Sequence, residues 1–146
     1  MYRSSLTLAF VVLYSAAGAA SDLSSVYVAP GGRHLRVISE GAGWCARLGD
    51  DRPSHGMWPS ADVLFESASA AAGSRCAAVV LTGMGTDAVR GCRAVRREQG
   101  RIVVQAPHDC TVSGMTAAVI ADGHVDHVGT LAQIARVLVE WCDRWL

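Results

Sequence analysis

CAAVVLTGMGTDAVRG, Cys76–Gly91, is the stretch whose reading decides the fold. Cys76 to Leu81 is an unbroken apolar run, too short for a good helix and rich in branched residues. Such a run is expected of a strand buried on both faces. It stops at Thr82-Gly83-Met84-Gly85-Thr86-Asp87, where the glycines flanking Met84 let the backbone turn tightly and leave its N–H groups free to face a ligand. A helical pattern follows from Ala88 to Glu98, with Arg90, Arg93, Arg96 and Arg97 on its wet side and Gly100 to stop it. Asp87 is then a lone carboxylate at the point where a strand hands over to a helix. In open α/β sheets, ligands bind in the crevice at the carboxyl ends of the strands. On spacing alone, Asp87 reads as the N-cap of the helix that follows it sooner than as a catalytic group.

Working outward, Val26-Tyr27-Val28-Ala29 reads as a short strand turned by Pro30-Gly31-Gly32. The alternating His34–Ile38 and the run Trp44–Leu48, joined through Gly41-Ala42-Gly43, predict a β-ribbon attached to the main sheet. Asp50–Trp58 is a polar loop. Ser60 caps a helix whose buried stripe is Val63, Leu64, Phe65 and Ala68, and which runs out at Gly73. After the central strand and its helix, Ile102–Gln105 is a second apolar strand, which completes a right-handed βαβ unit of a parallel sheet. A loop, Ala106–Gly114, leads to a short helix from Met115 to about Ala121, then to an edge strand at Val125–Val128. Thr130 and Gln133 form a capping box for a last helix, with Leu131, Ile134, Leu138 and Trp141 on its inner face.

Composition narrows the function classes. The 146 residues are 51% hydrophobic and 18% charged, which suits one domain with a substantial core and argues against disorder. Thirteen basic residues balance thirteen acidic ones, so no long-range field draws the chain to nucleic acid or an anionic membrane. Five widely spaced cysteines without a CxxC pair fit a reduced, cytoplasmic protein, with Cys76 and Cys92 as small core residues. His34, His55, His108, His124 and His127 scatter over loops and turns, so no metal site is expected and no cofactor is implied. His108-Asp109-Cys110 reads as a surface loop rather than a cysteine nucleophile with its base, and no serine sits in a GxSxG elbow.

Residues 1–22 stand apart. Arg3, the apolar run Leu6–Tyr14 and the small residues Ala16–Ala20 look like a secretory signal peptide, which would make this an exported protein. The competing reading is the remnant of a larger domain.

Five phrases then add up: VYVAPGGRHLRV, PSADVLFESAS, VVLTGMGTDAVRG, QAPHDCTVSGM and AAVIADGHVDHVGTLAQIARVL, in this order. They closely resemble the catalytic domain of the chemotaxis protein-glutamate methylesterases (CheB type), over about Val26 to Leu138, with LTGMGxD the most specific part. The resemblance implies a three-layer, doubly wound α/β fold with a β-hairpin and a Ser-His-Asp hydrolase acting on glutamate methyl esters of bacterial chemoreceptors. Residues 23–146 would be the C-terminal part of that domain, and residues 1–22 its remnant or a signal-like leader.

Carried over, Asp87 is the triad aspartate that orients and stabilises the histidine. The Met84 N–H is an oxyanion-hole donor. The family's serine lies in a glycine-rich turn and its histidine in a His-Met-Pro phrase, and neither phrase occurs in these 146 residues. Nor does the receiver domain that usually precedes this catalytic domain. The chain is therefore expected to be inactive alone, or else a binding module that keeps the receptor-facing surface without turnover. It is expected to lack the first strands of the sheet and to expose an open edge at Cys76–Leu81 along which another copy or a complementary fragment pairs. Leu6–Tyr14 is the candidate to cover that edge. Ala88 replaces a usual Gly, which tightens the turn, and Thr116 replaces a usual Pro, which leaves its loop freer.

Overall fold

The structure is a computed structural model and describes residues 10–13, 25–41, 43–50 and 56–145. In chain order these form β1 (Phe10–Leu13), β2 (Ser25–Val28), β3 (His34–Glu40), β4 (Gly43–Gly49), α1 (Ala61–Ala72) and β5 (Ala77–Val80). Then come α2 (Val89–Arg97), β6 (Arg101–Gln105), α3 (Gly114–Asp122), β7 (His127–Gly129) and α4 (Leu131–Trp145). Each element of the sequence reading is present within a few residues of its expected bounds. Residues 1–9, 14–24 and 51–55 lie outside the described residues, and with them most of the signal-like segment and His55.

β5, β6 and β7 make a parallel sheet in that order. β6 is its centre, and its side chains alternate between two cores. Ile102 and Val104 face a cluster built with Cys92, Val95 and Val119, while Val103 faces Ile134 and Trp141 of α4. All three valine and isoleucine side chains are 0% exposed, which is the double burial that an apolar run without polar alternation requires. Helices on both faces give the doubly wound, three-layer arrangement. Leu131 departs from the expected inner stripe of α4: as the first residue of the helix, inside the Thr130–Gln133 capping box, it is 54% exposed.

Among the described residues β5 is bonded on its β6 side only, and Ala77, Val79 and Leu81 are half-buried against α4. Among these residues it is the edge of the sheet. The Leu6–Tyr14 run does not cover it where described: Phe10–Leu13 pairs antiparallel with Ser25–Val28, forming a separate two-stranded sheet.

The β3–β4 hairpin also differs from expectation. It is a sheet of its own rather than an extension of the parallel one. Its apolar face, Leu35 and Val37, packs on Leu64 of α1. Polar bonds fix the docking: Val37 N–H donates to Ser67 Oγ at 3.1 Å and Trp44 Nε1–H donates to Ala71 O at 3.0 Å. A half-polar ribbon needs only one covered face, and α1 supplies it.

α1 in turn presses on α2. A Cβ on Gly91 would stand 2.7 Å from Phe65 Cβ and 2.9 Å from Asp62 Cα, so only glycine allows this backbone approach. The arginines of α2 are not merely solvated. Arg90 pairs with Glu66 of α1 at 2.6 Å and Arg96 with Asp126 at 2.8 Å, while Arg93 binds Asp122 of α3 through Nε at 2.9 Å. No described helix is long and apolar enough to cross a membrane.

Candidate functional site

β5 ends at Val80, and the chain enters the Thr82–Asp87 turn at the carboxyl edge of the sheet. A second loop, from β6 to α3, holds this turn from one side. Gly83 N–H donates to Val112 O at 2.8 Å and Met115 N–H donates to Gly83 O at 2.9 Å. Thr82 Oγ1 donates to Val112 O at 3.1 Å and accepts from Val112 N–H at 2.9 Å. Gln105 anchors the base: its Oε1 accepts from Thr82 N–H at 2.9 Å, and its Nε2 donates to Asp109 Oδ2 at 2.9 Å. Asp109 Oδ2 also accepts from Leu131 N–H at 3.1 Å, tying in the start of α4. The Gln105 amide and the Leu131 N–H together hold the Asp109 carboxyl below the usual range.

This loop explains two sequence features. Asp109 is a tie between elements, and Cys110 Sγ lies 3.4 Å from Ala106 O, so His108-Asp109-Cys110 is scaffolding. Thr116 does not loosen the loop as expected. It is fully buried, and its hydroxyl donates to Ser113 O at 3.0 Å and contacts Cys110 Sγ at 3.5 Å, replacing the ring constraint of a proline with bonds.

Gly85 turns the chain at φ 90°, and among the described residues no acceptor meets the Met84 N–H. The Met84 side chain is 75% exposed. A Cβ on Gly114 would sit 3.3 Å from Gly85 N, so glycine keeps the second loop close to the turn.

Asp87 is where the sequence reading needs correction. It does not cap α2. That position falls to Ala88, at φ 91° and with no side-chain cap, the left-handed conformation for which glycine is the usual choice. Asp87 instead reaches back to the start of α1. Ser60 Oγ–H donates to Asp87 Oδ1 at 2.8 Å, Asp62 N–H to Oδ1 at 3.0 Å, and Ala61 N–H to Oδ2 at 2.7 Å. Ser60 meanwhile accepts from Val63 N–H at 3.5 Å, as an N-cap should. The carboxylate, 4% exposed, thus occupies the positive end of α1. A carboxylate offers about four acceptor positions. Oδ1 uses two and Oδ2 one, so one further donor fits, at Oδ2.

Asp62 returns the favour. This residue, which sequence reasoning passed over, is 3% exposed, and its Oδ1 accepts from Gly91 N–H of α2 at 2.7 Å. Burial raises its pKa first and the Asp87 charge adds to this; the Gly91 N–H and Arg90, 3.9 Å away, oppose both. An Asp in the first turn of a helix is so ordinary that only the tertiary partner marks it. Beside the two carboxylates runs an open groove of about 390 Å³, lined by Met57, Thr86, Val89, Arg90, Arg93 and Ala118. Cys76 and Cys92 are buried core thiols, pushed by burial to about 11 and about 12, with the Asp62 and Asp122 charges adding to the shift of Cys92. Among the described residues no three His, Cys, Asp or Glu side chains gather as metal ligands would.

Comparison with known proteins bears on this geometry. A family model described as CheB methylesterase matches residues 8–138. The protein-glutamate methylesterase/protein-glutamine glutaminase of Bordetella pertussis is 42% identical over 121 residues, 82% of this chain and 35% of that protein. The protein of the same name from Desulfitobacterium hafniense is 35% identical over 128 residues, 87% of this chain and 33% of that protein. The crystal structure of the Thermotoga maritima CheB methylesterase catalytic domain superposes with a TM-score of 0.76 at 30% identity, over 78% of this chain and 60% of that one. The chain spans about a third of the length of the curated relatives it matches.

Proposed function

Because the chain belongs to the CheB methylesterase family, we propose that its Thr82–Asp87 turn is half of a hydrolytic site for glutamyl esters or glutaminyl amides of a protein substrate. The observation that carries this reading is the immobilised Asp87 carboxylate, with one acceptor position left at Oδ2, beside a turn whose Met84 N–H is unengaged among the described residues. In this role Asp87 Oδ2 accepts the N–H of an imidazole and holds that ring so its other nitrogen can take the proton of a serine hydroxyl. Serine attacks the ester carbonyl, the Met84 N–H stabilises the oxyanion, and the alcohol leaves with the proton the imidazole took from the serine. Water, deprotonated by the same imidazole, then cleaves the acyl-enzyme and frees the serine.

The serine and histidine phrases of the family do not occur in these 146 residues. The residues present polarise and bind, and do not turn substrate over by themselves: the covalent route and the roughly 10²–10⁴-fold given by a positioned base are lost. The test is methanol release from a methylated chemoreceptor fragment. None is expected; release that Asp87→Ala abolishes overturns the proposal of inactivity.

Chemoreceptors are the proposed partners and the cytoplasm the proposed location, as the sequence resemblance implies; the relatives' names support a protein substrate with glutamate esters or glutamine amides. A pull-down with receptor cytoplasmic fragments separates a binding module from an inert remnant. The family match begins at residue 8, which supports reading residues 8–22 as part of the domain. The β5 edge, unpaired on one side among the described residues, supports self-association, which sedimentation at rising concentration tests.

A further inference from the structure

The rim of the turn displays apolar surface that neither the core nor the hydrolytic roles use. Met84 is 75% exposed and Val112 45%. Both sit on loops locked to one another by Gly83 N–H on Val112 O at 2.8 Å and by the Thr82–Val112 pair at 2.9 and 3.1 Å. A Cβ on Gly114 would come within 3.7 Å of Met84 Cα, so the two loops are in near contact beside the side chains they present. These bonds hold the two loops together, and in that arrangement both side chains are left exposed. A turn that only had to present N–H groups would be served by a small polar residue. A methionine there, unbranched and polarisable, suits an apolar partner of variable shape.

We propose that Met84 and Val112 form an apolar rest for aliphatic side chains flanking the target glutamyl residue of a protein substrate. This rests on the reading of the Met84 N–H as oxyanion donor, since that reading brings the target side chain down beside Met84 and its neighbours onto the rim. The rest sets which glutamyl residues are accepted. It acts through side chains, whereas the oxyanion role acts through the backbone, so the two are separable by substitution.

The test titrates the full chain with two synthetic peptides, each carrying a glutamate γ-methyl ester, flanked in one by Leu and Ala and in the other by Ser and Gly. Nuclear magnetic resonance shifts report affinity. The apolar-flanked peptide is expected to bind about fivefold more tightly or better, the scale of one modest apolar contact. In the M84S/V112S variant that preference falls to near unity. In Val139→Ser, a control at an exposed residue of α4, it is retained. Unchanged melting temperatures show that each variant is folded. Equal binding of both peptides by the unsubstituted chain, or a preference that survives in the double variant, overturns the rest and leaves the ester-site reading standing. If the unsubstituted chain binds neither peptide, the ester-site reading fails and the rest falls with it.

Discussion

Asp87 is 4% exposed with both carboxylate oxygens engaged; Met84, on the same turn, is 75% exposed with an N–H that no described residue accepts. The fold fixes the charge and frees the donor. Each treatment follows from cost. A buried carboxylate without donors loses several kcal/mol, so it is surrounded. A backbone N–H at the surface is satisfied by water until something better arrives, so it can be left open. The locked half is made by two helices that cap each other: Asp87, just before α2, holds the start of α1, and Asp62, in the first turn of α1, holds Gly91 of α2.

The largest effect should come from removing the lock. Asp87→Ala strands two buried backbone donors and the Ser60 hydroxyl, and is expected to cost about 3 kcal/mol. Urea unfolding of the full chain measures it. A midpoint unchanged from the parent would mean the carboxylate holds nothing, and the contrast with Met84 would collapse. Asp87→Asn, which can still accept at one atom, should recover part of the loss.

Gly91→Ala comes next, at about 2 kcal/mol, since the added methyl meets Asp62 Cα at 2.9 Å and Phe65 Cβ at 2.7 Å. The helices must part, and the Gly91–Asp62 bond lengthens with them. Measured against Phe65→Gly alone, the same substitution should cost less in that background, because the Phe65 Cβ is gone; if it does not, the backbone contact with Asp62 dominates.

Smaller still is a difference in pH slope. The Asp62 pKa is raised, mainly by burial, so its contribution to stability is full below the ordinary aspartate value and lost as pH rises through the folded one. Asp109 is shifted downward, first by Gln105 and then by the Leu131 N–H, so its contribution is present above the ordinary value and lost as pH falls. Asp62→Asn should therefore gain on the parent as pH rises above the ordinary aspartate value of about 4, whereas Asp109→Asn should lose ground as pH rises towards that value and hold level above it. Unfolding at pH 3.5, 5 and 7 separates them. Parallel pH profiles for the two variants would show that the locked junction and the outer loop are electrostatically alike.

Much of this architecture was legible because it is local. The period of the strand Cys76–Leu81, Ser60 as a cap, the Thr130–Gln133 box and the glycine-flanked turn are each written within a few residues. What escaped was the partner of each local signal. Asp87 before a helix looks like that helix's cap, and nothing in the spacing says that the donors it serves belong to Ser60–Asp62. Asp62 was invisible for the same reason. The hairpin was read correctly as strands, yet its attachment to α1 instead of the sheet depends on which apolar face is left uncovered in three dimensions. Ala88 was noted as unusual, and φ 91° supplies the reason: the turn into α2 needs a left-handed residue there.

The smallest effect is expected at Met84, and it completes the contrast. Met84→Ala removes a side chain that is already three-quarters in water, so little apolar burial is lost on truncation. The backbone N–H, the Gly83 and Gly85 bends and the bonds from Val112 and Met115 are all kept. Stability should stay within about 0.5 kcal/mol of the parent. A loss above roughly 1 kcal/mol in the same urea experiment would mean that the side chain is packed in solution, against Val112 or Met115. The turn would then be closed rather than open, and the exposed rest proposed for a substrate would be an internal contact.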